Sequence, residues 1–153
     1  MSQAKKVFTR MCLNNWGGID HKVLEFHEYV NLFSGKSGSG KSTVMDAIQV
    51  ILYGSFSPSF LNKAADDAKN RRSVLSYLRG EQKDGSANRK DCDFCSVIAL
   101  EIEDTGTHII TCIGIAFEVR KSDSEIKKFV YFSHSGKMPE SEYLTEQGVC
   151  YSN

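Results

Sequence analysis

The sequence predicts a mixed α/β fold in which a strand, a glycine-rich loop and a helix lie beside an antiparallel sheet. Three observations predict it. Gly35-Lys36-Ser37-Gly38-Ser39-Gly40-Lys41-Ser42 fits the pattern G-x-x-x-x-G-K-[ST] at every fixed position. Directly after it, Val44, Ala47, Ile48, Ile51 and Leu52 recur at the spacing of one helix face. Three strand-like runs, 94–103, 108–119 and 128–133, then follow with turn residues and no helix between them, which implies antiparallel pairing.

Taken in order, residues 7–13 read as a strand, and Asn14-Asn15-Trp16-Gly17-Gly18 as turn chemistry. Val23, Leu24 and Phe26 lie in a second short strand. Residues 29–33 form a third, which feeds the loop. A hairpin therefore precedes the loop strand, an order found in ATPase heads of the ABC type; small nucleotide kinases usually open on the loop itself. The helix after the loop should stop at Gly54. Residues 55–60 read as a loop carrying two aromatics, and 63–90 is locally basic. Within that basic stretch Val74, Leu75 and Leu78 predict a short helix ending at Gly80, followed by a polar loop over 81–91. Asp104-Thr105-Gly106 and residues 121–124 supply the turns between the last three strands.

The chemistry of the loop follows from its backbone. Gly35, Gly38 and Gly40 can take dihedrals that a side chain forbids, so successive N–H groups of Gly35, Ser37, Gly38, Ser39 and Gly40 can turn onto one anion. The helix that follows adds its unpaired first amides and the positive end of its dipole. Lys41, the expected catalytic cation, would set its ammonium on the β- and γ-phosphates of ATP. The Ser42 hydroxyl would be a ligand of Mg²⁺, and Thr43 a neighbouring hydroxyl suited to capping. A plain Gly/Ser turn has no use for Lys41-Ser42 at that register.

Other residues carry two readings each. Asn15 and Trp16 are candidates for contact with base or ribose, the alternative being a core tryptophan. Arg71 and Arg72, in the basic segment close to the phosphate loop, are candidates for nucleotide or DNA backbone, the alternative being a solvated helix face. Cys92-Asp93-Phe94-Cys95 is one C-x-x-C pair, two ligands short of a closed zinc site. Val97-Ile98-Ala99-Leu100-Glu101 has the form of an apolar strand ending in a metal-organising acid. Yet glutamate stands where aspartate belongs, and its alternation with Leu100 and Ile102 fits a half-buried strand. His108 and His134 have no partner at motif spacing.

The 153 residues suffice for one core, so residues 1–153 are read as a single domain. Apolar content of 41 % and charged content of 25 % are those of an ordinary globular protein. A net charge of zero gives no global argument for nucleic acid. No apolar run approaches the ~20 residues of a membrane span, and the basic N-terminus lacks an apolar signal core. Five cysteines without scaffold spacing point to reduced thiols and a cytoplasmic location, with no membrane partner.

Leu13-Asn14-Asn15-Trp16, followed by the run from Asn31 through the loop to Gln49, resembles the start of an SMC-like ATPase head. Phe60-Leu61-Asn62-Lys63-Ala64-Ala65 and Arg72-Ser73-Val74-Leu75-Ser76-Tyr77-Leu78-Arg79-Gly80 resemble the MukB/MksB branch, and within it the JetC proteins of Wadjet plasmid-defence systems. The likeness runs from about residue 7 to about 133. It implies a P-loop NTPase fold, the N-terminal lobe of an ABC/SMC-type head. The C-terminal lobe would carry the signature motif, an Asp for Mg²⁺ and a Glu for the attacking water.

The resemblance further implies a long coiled coil, a second head in a homodimer, kleisin-type and accessory subunits, and double-stranded DNA as partner. ATP cycling would drive DNA loop extrusion in plasmid defence or chromosome maintenance. This sequence shows no signature motif, no apolar run ending in Asp-Glu and no heptads, so the chain is expected to be the N-terminal half of a head, either a fragment or one piece of a split gene, without the C-terminal lobe and coiled coil. Gln147 is the one position for a metal-contacting Gln, the alternative being a surface residue. Hydrolysis is expected only when the other lobe and a second head complete the site. Two other functions stay open: a stand-alone P-loop phosphotransferase using Glu101 or Asp104 at the metal, and a nucleotide-gated interaction module that binds ATP without hydrolysing it.

Overall fold

A computed structural model describes residues 3–36, 40–54, 73–82 and 84–145. Strand β1 (Lys6–Trp16) turns through Gly17-Gly18 into β2 (Ile19–Glu25), pairing from Arg10 opposite Glu25 to Trp16 opposite Ile19. The turn is narrower than the sequence suggests, because Asn14, Asn15 and Trp16 remain in the strand. Gly17, at φ 58°, takes the first central position of a two-residue hairpin, where a positive φ favours glycine.

Helix α1 (Lys41–Tyr53) begins at the lysine of the loop and ends at Gly54, whose N–H bonds the Val50 carbonyl at 3.1 Å. Helix α2 (Val74–Arg79) is capped by Ser73, whose hydroxyl accepts the Ser76 N–H at 3.1 Å, and closes at Gly80. Strands β3 (Phe94–Asp104), β4 (Ile110–Val119) and β5 (Lys128–Ser135) complete a five-stranded sheet, ordered β2-β1-β3-β4-β5 and antiparallel throughout. Mixed α/β is thus the observed class, with the long connection between β1–β2 and β3 carrying both described helices.

Side chains alternate across the sheet. One face presents Met11, Leu13, Ile98, Leu100, Ile115 and Phe117 to the two helices, which bury Val44, Ala47, Val50, Ile51, Val74, Leu75, Tyr77 and Leu78. The helix face is rotated from the one the spacing suggested: Val50 and Asp46 go in, while Leu52 stays half exposed. The opposite face presents Cys12, Val97, Ala99 and Cys112, covered by Met138 and Tyr143 from the segment after β5.

Two expectations are corrected here. Residues 29–33 are not a strand. Asn31 accepts the His27 N–H at 2.7 Å and donates back to the His27 carbonyl at 2.8 Å, closing a local turn in place of a ladder. Val30 and Leu32 are left 76 % and 87 % exposed. Nor is β3 half buried. Met138 and Thr9 close over Glu101, which is buried and accepts the Met138 N–H at 2.6 Å and the Thr9 hydroxyl at 2.7 Å.

Candidate functional site

The phosphate-loop pattern sits at the N-terminus of α1. Gly40 holds φ 94°, ψ 8°, a left-handed conformation that L side chains rarely adopt, and among the described residues nothing lies within 4 Å of where its Cβ would project. Among the described residues no side chain caps the helix there. Lys41 reaches back along the loop: its Nζ donates to the Gly35 carbonyl and, at 3.1 Å, to the Lys36 carbonyl. Ser42 is exposed and Thr43 half-buried. A glycine in this conformation at a helix start, a lysine over the loop and an adjacent exposed hydroxyl form a donor set suited to a polyphosphate with a divalent cation. Ser37, Gly38 and Ser39 lie outside the described residues.

Against the helix start packs a cluster the sequence pattern does not reveal. Trp16 is fully buried and donates its indole N–H to the Thr43 carbonyl at 2.9 Å. Its ring stacks on Tyr77 at 5.2 Å between centroids and 8° between planes. The Tyr77 hydroxyl in turn donates to Asp46, a buried carboxylate on α1. Contact with a nucleotide base requires an accessible ring, so the structure gives Trp16 the core role, because burying an indole with its N–H satisfied is the more favourable use. The Asn15 amide is engaged by the Cys95 carbonyl at 2.8 Å. The hydrophobic pattern pointed to Val44 and Ala47 but could not flag Asp46 as buried, since only its tertiary partner explains it.

The basic segment divides. Arg71 and Arg72 lie outside the described residues, as do Gln147 and the aromatics of 55–60. Arg79 and Arg89 are structural. Arg79 donates to the Asp123 carbonyl at 2.6 Å. Arg89 is buried and donates to the carbonyls of Leu78 (2.8 Å) and Gly17 and to Asp20 (2.9 Å). Burial pushes its guanidinium pKa down, partly offset by Asp20.

The candidate metal acids are spent elsewhere. Glu101 lies on the sheet face away from α1, and Asp104 accepts the N–H groups of Gly106 (2.9 Å) and Thr107 (3.1 Å) in its turn. Those bonds hold the Asp104 carboxyl below the usual range. Cys92, Cys95 and Cys112 are free thiols, and among the described residues no three His, Cys, Asp or Glu side chains gather as a metal site. Burial pushes the Cys95 and Cys112 thiols up. Among the described residues no helix is long and apolar enough to cross a membrane.

Residues 8–68 match the family model described as the P-loop containing region of AAA domain. Over 74 residues the chain is 39 % identical to the SbcC component of the nuclease SbcCD from Staphylococcus haemolyticus (strain JCSC1435). That similarity covers 46 % of this chain and 6 % of the relative, so the chain spans only a small part of the length of the curated protein it matches.

Proposed function

We propose that this chain is the ATP-binding lobe of an SMC-like ATPase head, whose site is completed by a C-terminal lobe. The observation that carries the reading is Lys41 as the first residue of α1, its ammonium drawn back over the loop end beside the left-handed Gly40. In this reading the loop amides of Gly35, Ser37, Gly38, Ser39 and Gly40 hold the β-phosphate, Lys41 neutralises the β- and γ-phosphates, and Ser42 and Thr43 supply hydroxyls. Mg²⁺, when bound at Ser42, would neutralise phosphate charge. Because phosphoryl transfer rests on positioning and charge stabilisation, a lobe without the water-orienting acid turns ATP over poorly alone.

The exposed Val30 and Leu32 support the second half of the proposal, since apolar residues leading into a phosphate loop are suited to lie against a further lobe. The similarity to an SbcC protein favours an SMC-like assembly. We extend it to the MukB/MksB branch and JetC-type Wadjet proteins on the segments 60–65 and 72–80. The corresponding partners are a second head, kleisin-type and accessory subunits and double-stranded DNA, in the cytoplasm. ATP-driven loop extrusion in plasmid defence or chromosome maintenance is the activity.

The test is calorimetric titration of the full chain with Mg–ATP, alongside ATPase assays with and without the C-terminal lobe. Binding by the lone chain with hydrolysis only in the mixture is expected. Full turnover by the lone chain would overturn the two-lobe reading in favour of a self-sufficient phosphotransferase. Binding without hydrolysis in any mixture would make the chain a nucleotide-gated interaction module.

A further inference from the structure

The start of α1 is held by buried side chains from β1 and α2. The Thr43 carbonyl, immediately after Lys41 and Ser42, accepts the Trp16 indole N–H at 2.9 Å. A carbonyl has two lone pairs, so this bond adds to whatever the helix ladder supplies. Tyr77 lies flat against the indole and ties its hydroxyl to Asp46, further along the same helix. The hairpin turn closes the grip: Gly17 donates to the Tyr77 carbonyl at 2.8 Å, and a Cβ on Gly17 would stand 2.6 Å from Thr43 Cγ2. Two segments distant in sequence, the end of β1 with its turn and α2, therefore converge on the start of one helix. All three side chains, Trp16, Tyr77 and Asp46, are buried.

We propose that Trp16, with the Tyr77–Asp46 pair behind it, is a positioning residue for the phosphate site, fixing where α1 begins and so where Lys41 and Ser42 stand. The inference rests on the phosphate-binding reading of the loop. A core-packing role alone would need the ring but not its N–H, and Trp16→Phe separates the two because it keeps an aromatic ring against Tyr77. Trp16 is also the single tryptophan of the chain, so its emission reports the state of the grip.

The test uses the full chain in three measurements. Without nucleotide, amide hydrogen exchange at Val44, whose N–H bonds the Gly40 carbonyl at 3.2 Å, should be about tenfold faster in Trp16→Phe while sheet amides keep their protection. Mg–ATP affinity measured by calorimetry should fall about three- to tenfold, the loss of one buried hydrogen bond. In the wild type, Mg–ATP should change Trp16 emission with the same midpoint as binding. Unchanged Val44 exchange, unchanged affinity in Trp16→Phe, or silent emission while calorimetry records binding overturns the inference alone. A wild-type chain that does not bind Mg–ATP overturns the phosphate-loop reading, and the inference's nucleotide half with it; the exchange measurement then still decides whether Trp16 sets the helix start.

Discussion

Met138 donates its backbone N–H to the buried Glu101 carboxylate at 2.6 Å, and that bond fastens the segment after β5 across the sheet face opposite the helices. Removing the acceptor leaves the buried Met138 amide without its partner and the Thr9 hydroxyl with only the Glu101 backbone carbonyl, at 3.2 Å. Glu101→Ala should lower unfolding free energy by about 2–3 kcal/mol, read from urea titrations. Mg–ATP affinity should stay within a factor of about two, because α1 lies on the other face.

Lys41→Ala should have the opposite profile. Lys41 is not part of the buried core, so its loss should move stability by less than about 0.5 kcal/mol. Mg–ATP affinity should fall by about ten- to a hundredfold, the range for losing a charge-assisted contact. Calorimetry checks the affinity, and urea titration the stability.

Leu32→Asp tests the exposed approach to the loop. At 87 % exposure the side chain contributes little to this chain's own core, so the unfolding midpoint should hold. Co-elution with the C-terminal lobe on gel filtration should be lost, because a charge would be carried into an apolar contact.

Arg89→Lys should be far from conservative. The guanidinium spans two carbonyls and Asp20 at once, whereas an ammonium cannot reproduce that fork. A loss of about 2–4 kcal/mol is expected on urea unfolding, with Arg89→Ala at least as severe.

Acid sensitivity should be traceable to Asp123. The Arg120 N–H at 2.9 Å, with Lys127 at 3.5 Å, holds its carboxyl below the ordinary carboxylate range. A depressed folded-state pKa stabilises the fold above the unfolded value, about 3.9, and that contribution disappears as pH falls through the lower folded value. Asp123→Asn should therefore be less stable than wild type at pH 7, with the gap narrowing by pH 3. Urea midpoints at the two pH values check it.

Much of this arrangement could be read from the chain. Gly54 and Gly80 end their helices as predicted, and the turns at 104–106 and 121–124 separate three strands that pair antiparallel. Those features are local, written in turn chemistry and periodicity. The misreadings arose where a distant partner decides. Val30 to Phe33 has strand composition, but the Asn31 side chain satisfies His27 locally, and propensity supplies no neighbour to pair with. Glu101 alternates like a surface residue, yet Met138, far along the chain, covers it. The loop signature was legible because its residues are contiguous; the Trp16–Tyr77–Asp46 grip was not, because it exists only after the β1–β2 hairpin and α2 meet over α1.

The tight seat of the Gly17 turn against Thr43 also limits how the motif can be borrowed. A peptide excised as 27–54 would carry every fixed residue of the signature and none of the clamp that orients it. The same eight residues transplanted into another scaffold would need a matching aromatic anvil beneath the helix, so portability belongs to the hairpin, loop and second helix together.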